Sequence, residues 1–135
     1  MANEAVIIEL LGNEGDVVQY TVAAGTAITK GTLMYLSSDP RTILATSAQG
    51  QIFVGIASTD KTATDGATKI GVYTNGIFDL TDSSAGMTLG DICKIGGANL
   101  VATSDEAGAL ATAEHVGLVL ETAAANEVVA VKIRK

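Results

Sequence analysis

The 135 residues include 36 Leu, Ile, Val and Phe, enough for one packed domain and too many for a disordered chain. Trp is absent and fifteen glycines stand against one proline, so the core is expected to be branched aliphatic and alanine, with many tight turns. A formal charge of −7 repels phosphate backbones and argues against a nucleic-acid partner.

The first element in chain order is an apolar run, AVIIELL, with Ala5, Val6, Ile7, Ile8, Leu10 and Leu11 around Glu9. It is too short for a membrane span and lacks the basic flank of a secretion signal, so no membrane partner is expected and synthesis is assigned to the cytoplasm. Gly12-Asn13-Glu14-Gly15 then reads as a hinge, which makes residues 1–15 an N-terminal arm ahead of a single β domain over 16–135. An arm strand left free would be an aggregation hazard. It either pairs within its own barrel or adds a strand to a neighbouring protein, and both readings stand at this point.

Beyond the arm, short β-branched clusters alternate with Gly, Asp, Asn, Ser and Thr, the pattern of strands and turns. Strands are predicted at Val17–Val22, Thr32–Leu36, Ile43–Thr46, Ile52–Ala57, Thr68–Tyr73, Gly76–Leu80, Asp91–Ile95, Leu100–Ala102, Val116–Glu121 and Glu127–Ile133, after the arm strand Val6–Leu11. Asn75-Gly76, between TKIGVYT and IFDL, predicts a type I′ hairpin, and Gly96-Gly97 a further turn. Asp105–His115 contains Gly108 and no stripe of large residues, so it reads as a loop with one helical turn. The class is therefore all-β, a small barrel or sandwich.

Two stretches echo each other. AAGTAITKGTLMYL (23–36) and SSAGMTLGDICKI (83–95) each place a turn and a glycine before an apolar strand. Each is followed by an apolar-Ala-Thr-Ser step at Leu44–Ser47 or Val101–Ser104, then by Val54-Gly55-Ile56 or Val116-Gly117-Leu118. The separations of 59, 57 and 62 residues drift only as loop lengths would, which predicts two pseudo-repeated β-modules over about 17–80 and 81–135. One such module leaves an apolar face bare; two packed together cover it.

Chemistry-bearing residues are few. Cys93 and His115 are single, so a Cys–His pair requires the fold to bring them together, and together they fall short of a zinc site. Asp79, Asp82 and Asp91 flank the second copy's turn but match no calcium-loop spacing, and GTAITKGT (25–32) leads into a strand where a phosphate loop leads into a helix. No cofactor and no metal is expected, and no enzyme. The basic end Lys132–Lys135 reads either as a solvated face or as a charge contact to an acidic subunit.

From Asp16 to Ile133 the chain resembles the small head-decoration, or capsid cement, proteins of tailed viruses. The resemblance rests on Asn75-Gly76-Ile77-Phe78-Asp79-Leu80, Gly86–Asp91 and Val116-Gly117-Leu118. It implies a β-rich homotrimer on the outer surface of the mature virion head, at three-fold and quasi-three-fold sites, with the major capsid protein as partner. The contact residues expected from the arm are Ala5, Val6, Ile7, Ile8, Leu10 and Leu11. A second reading is a β-barrel that binds a small molecule or glycan in a cleft lined by Tyr35 and Tyr73; an enzyme using Cys93 or His115 comes last.

Overall fold

The structure is a computed structural model and describes residues 3–9, 17–83, 85–104 and 113–135. The described residues form strands and turns with no helix. The eleven strands are β1 (Val6–Glu9), β2 (Val18–Thr21), β3 (Leu33–Leu36), β4 (Ile43–Ala45), β5 (Phe53–Ala57), β6 (Lys69–Tyr73), β7 (Asn75–Asp82), β8 (Ile92–Gly97), β9 (Leu100–Thr103), β10 (His115–Val119) and β11 (Val128–Arg134). The strands fall on the apolar runs of the sequence, several of them alternating as a sheet with one buried face requires, and β10 starts at His115 where a loop was expected.

The strands divide into two sheets of matching order. One runs β2-β6-β5-β3-β4 and the other β7-β11-β10-β8-β9, with β1 added outside β7. Each sheet also closes on itself through a parallel contact. β7 pairs with β9 at Thr81↔Leu100 and Asp82↔Val101, and β2 meets β4 at the single bridge Thr21↔Thr42. The small antiparallel bridges outside the strands repeat too, Ile28↔Lys61 in one module and Met87↔Ala123 in the other. The fold is therefore two five-stranded β-modules of like topology plus an arm strand.

The two modules share a core because β3 and β5 are apolar on both faces. Met34, Val54 and Ala57 point into the first module, onto Val22, Ile28, Ile43, Ile70 and Val72. Leu33, Phe53 and Ile56 point the other way and join Phe78, Leu80, Cys93, Ile95, Val116 and Val131 of the second. All five residues of β5 are buried for that reason. Each large aliphatic or aromatic side chain removed from water here contributes about 1.5–3 kcal/mol. Asn99 adds a polar rivet, 1% exposed: its Oδ1 accepts the Leu33 N–H at 2.9 Å, and its own N–H donates to Thr46 Oγ1 at 3.1 Å. It sits at φ +56°, a left-handed conformation that Asn tolerates better than most residues.

Two turn expectations are corrected. Asn75 and Gly76 make no hairpin: they open β7, whose first rung is Asn75↔Arg134, and the chain leaves the first sheet for the second at Thr74. Pairing along the whole of β11 outweighs the local turn preference of Asn-Gly. Gly96-Gly97 belongs to β8, and the reversal falls at Ala98-Asn99. The segment 105–112, read as a loop with one helical turn, lies outside the described residues, as does the hinge at 12–15.

Close backbone approach explains the paired Val-Gly-apolar steps. A Cβ on Gly117 would run into the Lys132 carbonyl oxygen of β11, and one on Gly55 would lie 2.6 Å from the Tyr73 carbonyl oxygen of β6. At both counterpart positions the neighbouring strand leaves no room for a side chain.

Candidate functional site

The arm residues divide by face. β1 runs antiparallel to β7, with Val6 opposite Asp79 and Ile7 opposite Phe78, before a register shift brings Glu9 opposite Ile77. The Ala5 N–H donates to the Gly31 carbonyl at 2.7 Å, so the arm touches the first module before it pairs with the second. Gly31, at φ +92°, makes that seat possible: a Cβ there would stand 2.7 Å from the Ala5 oxygen. Ala5 and Ile7 pack against the shared core. Val6 and Ile8 face outward, 57% and 53% exposed. Of the two alternatives for the arm, pairing within its own sheet is the one seen. Leu10 and Leu11 lie outside the described residues.

Val6 is the end of a wider apolar surface. Directly paired residues share a face, so the register places Leu118 beside Ile92 and Lys132, Lys132 beside Ile77, and Ala130 beside Asp79 and thence Val6. Leu118 is 43% exposed and Val128 55%. Charge sits at intervals on this face. Burial, reinforced by the nearby Glu121 carboxylate, holds the Asp79 carboxyl above its ordinary range. Such a surface, outward, apolar and sparsely charged, suits contact with another protein better than it suits solvent.

The residues considered for catalysis do not assemble. Cys93 is fully buried and donates to the Gly117 carbonyl at 3.5 Å. Burial pushes its thiol up to about 12, which removes the thiolate that nucleophilic chemistry needs. His115 is opposite Lys94, on the outer side of the sheet, whereas Cys93 points into the core. The three aspartates are also apart in role. Asp82 is buried and accepts the Gly86 N–H at 2.8 Å and the Asn126 N–H at 3.2 Å, Asp91 accepts the Thr88 N–H at 2.9 Å, and Asp79 lies mid-strand. Among the described residues no group of three His, Cys, Asp or Glu is placed to hold a metal ion. The turn at 25–32 leads into β3, as its sequence implied. Tyr35 and Tyr73 pack against the main core, with the Tyr73 ring 5.9 Å from Phe78.

With the geometry of a closed, core-filled double barrel in place, comparison with known proteins becomes informative. A family model described as phage cement protein matches residues 12–134. The chain belongs to the phage cement proteins. Membership makes it a capsid-associated structural protein of the phage head. Among solved structures it is similar to the head fiber gp8.5 N base of bacteriophage phi29, at 19% identity and a TM-score of 0.55, over 87% of this chain and 93% of that one. That likeness speaks for the shared fold alone. No curated protein matches the chain. Among the described residues no helix is long and apolar enough to cross a membrane.

Two structural residues carried no sequence signal. Lys61 is 5% exposed, and its Nζ donates to the carbonyls of Ala24, Thr26 and Thr62 at 2.8, 3.1 and 3.3 Å. Its ion pair with Asp65 is 3.3 Å long, and the Ala67 N–H and Lys61 hold that carboxyl below its ordinary range. In a cement protein this clamp stiffens the first module's loops; nothing in DKTATDG distinguishes it from a solvated lysine. Asn99 is the other: the turn was expected at Gly96-Gly97, and nothing in the sequence marked Asn99 as buried.

Proposed function

We propose that this cement protein acts without catalysis, as a homotrimer on the outside of the mature head at three-fold and quasi-three-fold sites. There it clamps adjacent major capsid proteins against internal pressure. The observation that carries this reading is the arm: an edge strand anchored by Ala5 and Ile7 on the shared core presents Val6 and Ile8 outward. Anchoring removes most of the ordering cost that a loose arm would pay on binding. In the sequence, Leu10 and Leu11 continue the same apolar run. Three arms in one trimer multiply weak single contacts through effective concentration.

The test substitutes the exposed pair and spares the anchors, because removal of Ile7 would uncover the core. Val6→Asp with Ile8→Asp, the first opposite Asp79, should lower stability by about 1 kcal/mol and leave the protein folded. Binding to phage heads that lack the protein should fall by about 100-fold across three arms. Undiminished binding overturns the role of the arm. Light scattering that finds a monomer in solution, together with single copies in a cryo-EM map of decorated heads, overturns the trimer.

A further inference from the structure

The two modules differ in what lies along their first strand. In the second, β1 runs beside β7 at residues 77–79 and Ile7 packs over the core next to Phe78, which is fully buried. In the first, the counterpart of β7 is β2, because both open a sheet of the same order. Val18 is opposite Val72 just as Phe78 is opposite Val131, so Val18 faces inward. Yet Val18 is 38% exposed. An inward-facing valine lies open at the place where its counterpart phenylalanine is covered by an added strand.

β2 ends the order of its sheet, and over Val18–Tyr20 no described strand pairs with its outer side. The Thr21 N–H donates to the Arg41 carbonyl, away from β6, and alternate residues of a strand point the same way, so the Gln19 amide shares that direction. The Gln19 carbonyl accepts a bond from Arg41 Nη2 at 2.7 Å, a side-chain donor occupying the position of a strand's N–H. Beside it is a pocket of about 150 Å³ lined by Gln19, Tyr20, Thr21, Arg41 and Lys69. Two of the eight basic residues of a chain with net charge −7 converge there.

We propose that the β2 edge, Val18 to Tyr20, accepts an extended strand from the shell subunit, with an apolar side chain over Val18 and a carboxylate in the pocket between Arg41 and Lys69. The proposal rests on the capsid-binding reading above. β1 is the pattern for it: an apolar strand between Glu4 and Glu9, already paired with the equivalent edge. Among the described residues the strand of this character is β1, which is seated on its own β7, and the proposal assigns the strand for β2 to the shell subunit. On docking, a main-chain N–H replaces the Arg41 donor at the Gln19 carbonyl and the guanidinium turns to the incoming carboxylate.

The experiment combines charge reversal with amide exchange on undecorated phage heads. Arg41→Glu with Lys69→Glu should weaken binding by about tenfold or more; Lys69→Glu alone, an exposed side chain without the Arg41 bond to Gln19, should weaken it less and leave the thermal transition in place. Hydrogen exchange followed by mass spectrometry should show the 17–21 segment slowed by about tenfold or more when the wild type is docked, as a new ladder bond requires. Wild-type-like binding of the double variant, or no added protection at 17–21, overturns the acceptor edge. If in that case the Val6→Asp, Ile8→Asp variant still loses binding, the capsid reading survives without it. A wild type that fails to bind heads overturns both.

Discussion

The outer faces of β3, β5 and β6 in the first module and of β8, β10 and β11 in the second occupy equivalent places, and their fates differ. In the first, Leu33, Ile56 and Tyr73 form one cross-strand row and Tyr35 and Phe53 another. All five pack in or against the shared core. In the second the same rows read Ile92, Leu118, Lys132 and Lys94, His115. Three aromatic positions have become two lysines and a histidine, and the face stays outward with Leu118 and Lys132 exposed. Backbone topology makes both faces possible docking surfaces; side-chain polarity decides which is used up inside the chain and which is left for others.

The largest expected effect tests that contrast directly. Phe53→Ala should cost about 3–5 kcal/mol in urea unfolding, as a fully buried ring does, while His115→Ala at the counterpart position should cost about 1 kcal/mol or less. Equal costs would mean that the two faces are not different in kind. Next comes the shared constraint: Gly117→Ala, which drives a methyl into the Lys132 carbonyl, should destabilise by about 2–3 kcal/mol, with Gly55→Ala similar. A neutral result at either glycine would break the equivalence of the two strand crossings.

Asn99→Ala sharpens the account of how the modules are joined. It leaves the Leu33 N–H without its acceptor and puts alanine at φ +56°, for a cost of about 2 kcal/mol by thermal melting. The smallest effect concerns charge on the open face. The folded state raises the Asp79 pKa, through desolvation and then Glu121, so the native protein binds that proton more firmly than the unfolded chain does. Ionised Asp79 therefore costs stability at neutral pH, and the cost is relieved as pH falls through the folded value. Asp79→Asn should gain about 0.3 kcal/mol at pH 7 after solvent screening, and the gain should vanish below the ordinary carboxylate range. A variant less stable than wild type at pH 7 would contradict this.

The sequence alone determined the class and the positions of most strands, whereas the change from one sheet to the other falls at Thr74 and not between residues 80 and 81. Alternation in a strand is local, and the turn glycines and Val-Gly-apolar steps repeat because each module meets the same backbone constraints. It also placed Val6 and Ile8 on one side of a short arm. Only the tertiary structure decided where that arm lies, that Asn75-Gly76 carries the chain between sheets, and that β5 is buried on both faces. Each of those outcomes depends on a partner strand from elsewhere in the chain: β7 for the arm, β11 for Asn75, and the second module for Phe53 and Ile56. Lys61 and Asn99 were hidden for the same reason. Lys61 reaches the Ala24 and Thr26 carbonyls 37 and 35 residues away and Asn99 has partners 53 and 66 residues away, and burial of a polar group becomes favourable only once such partners are in place.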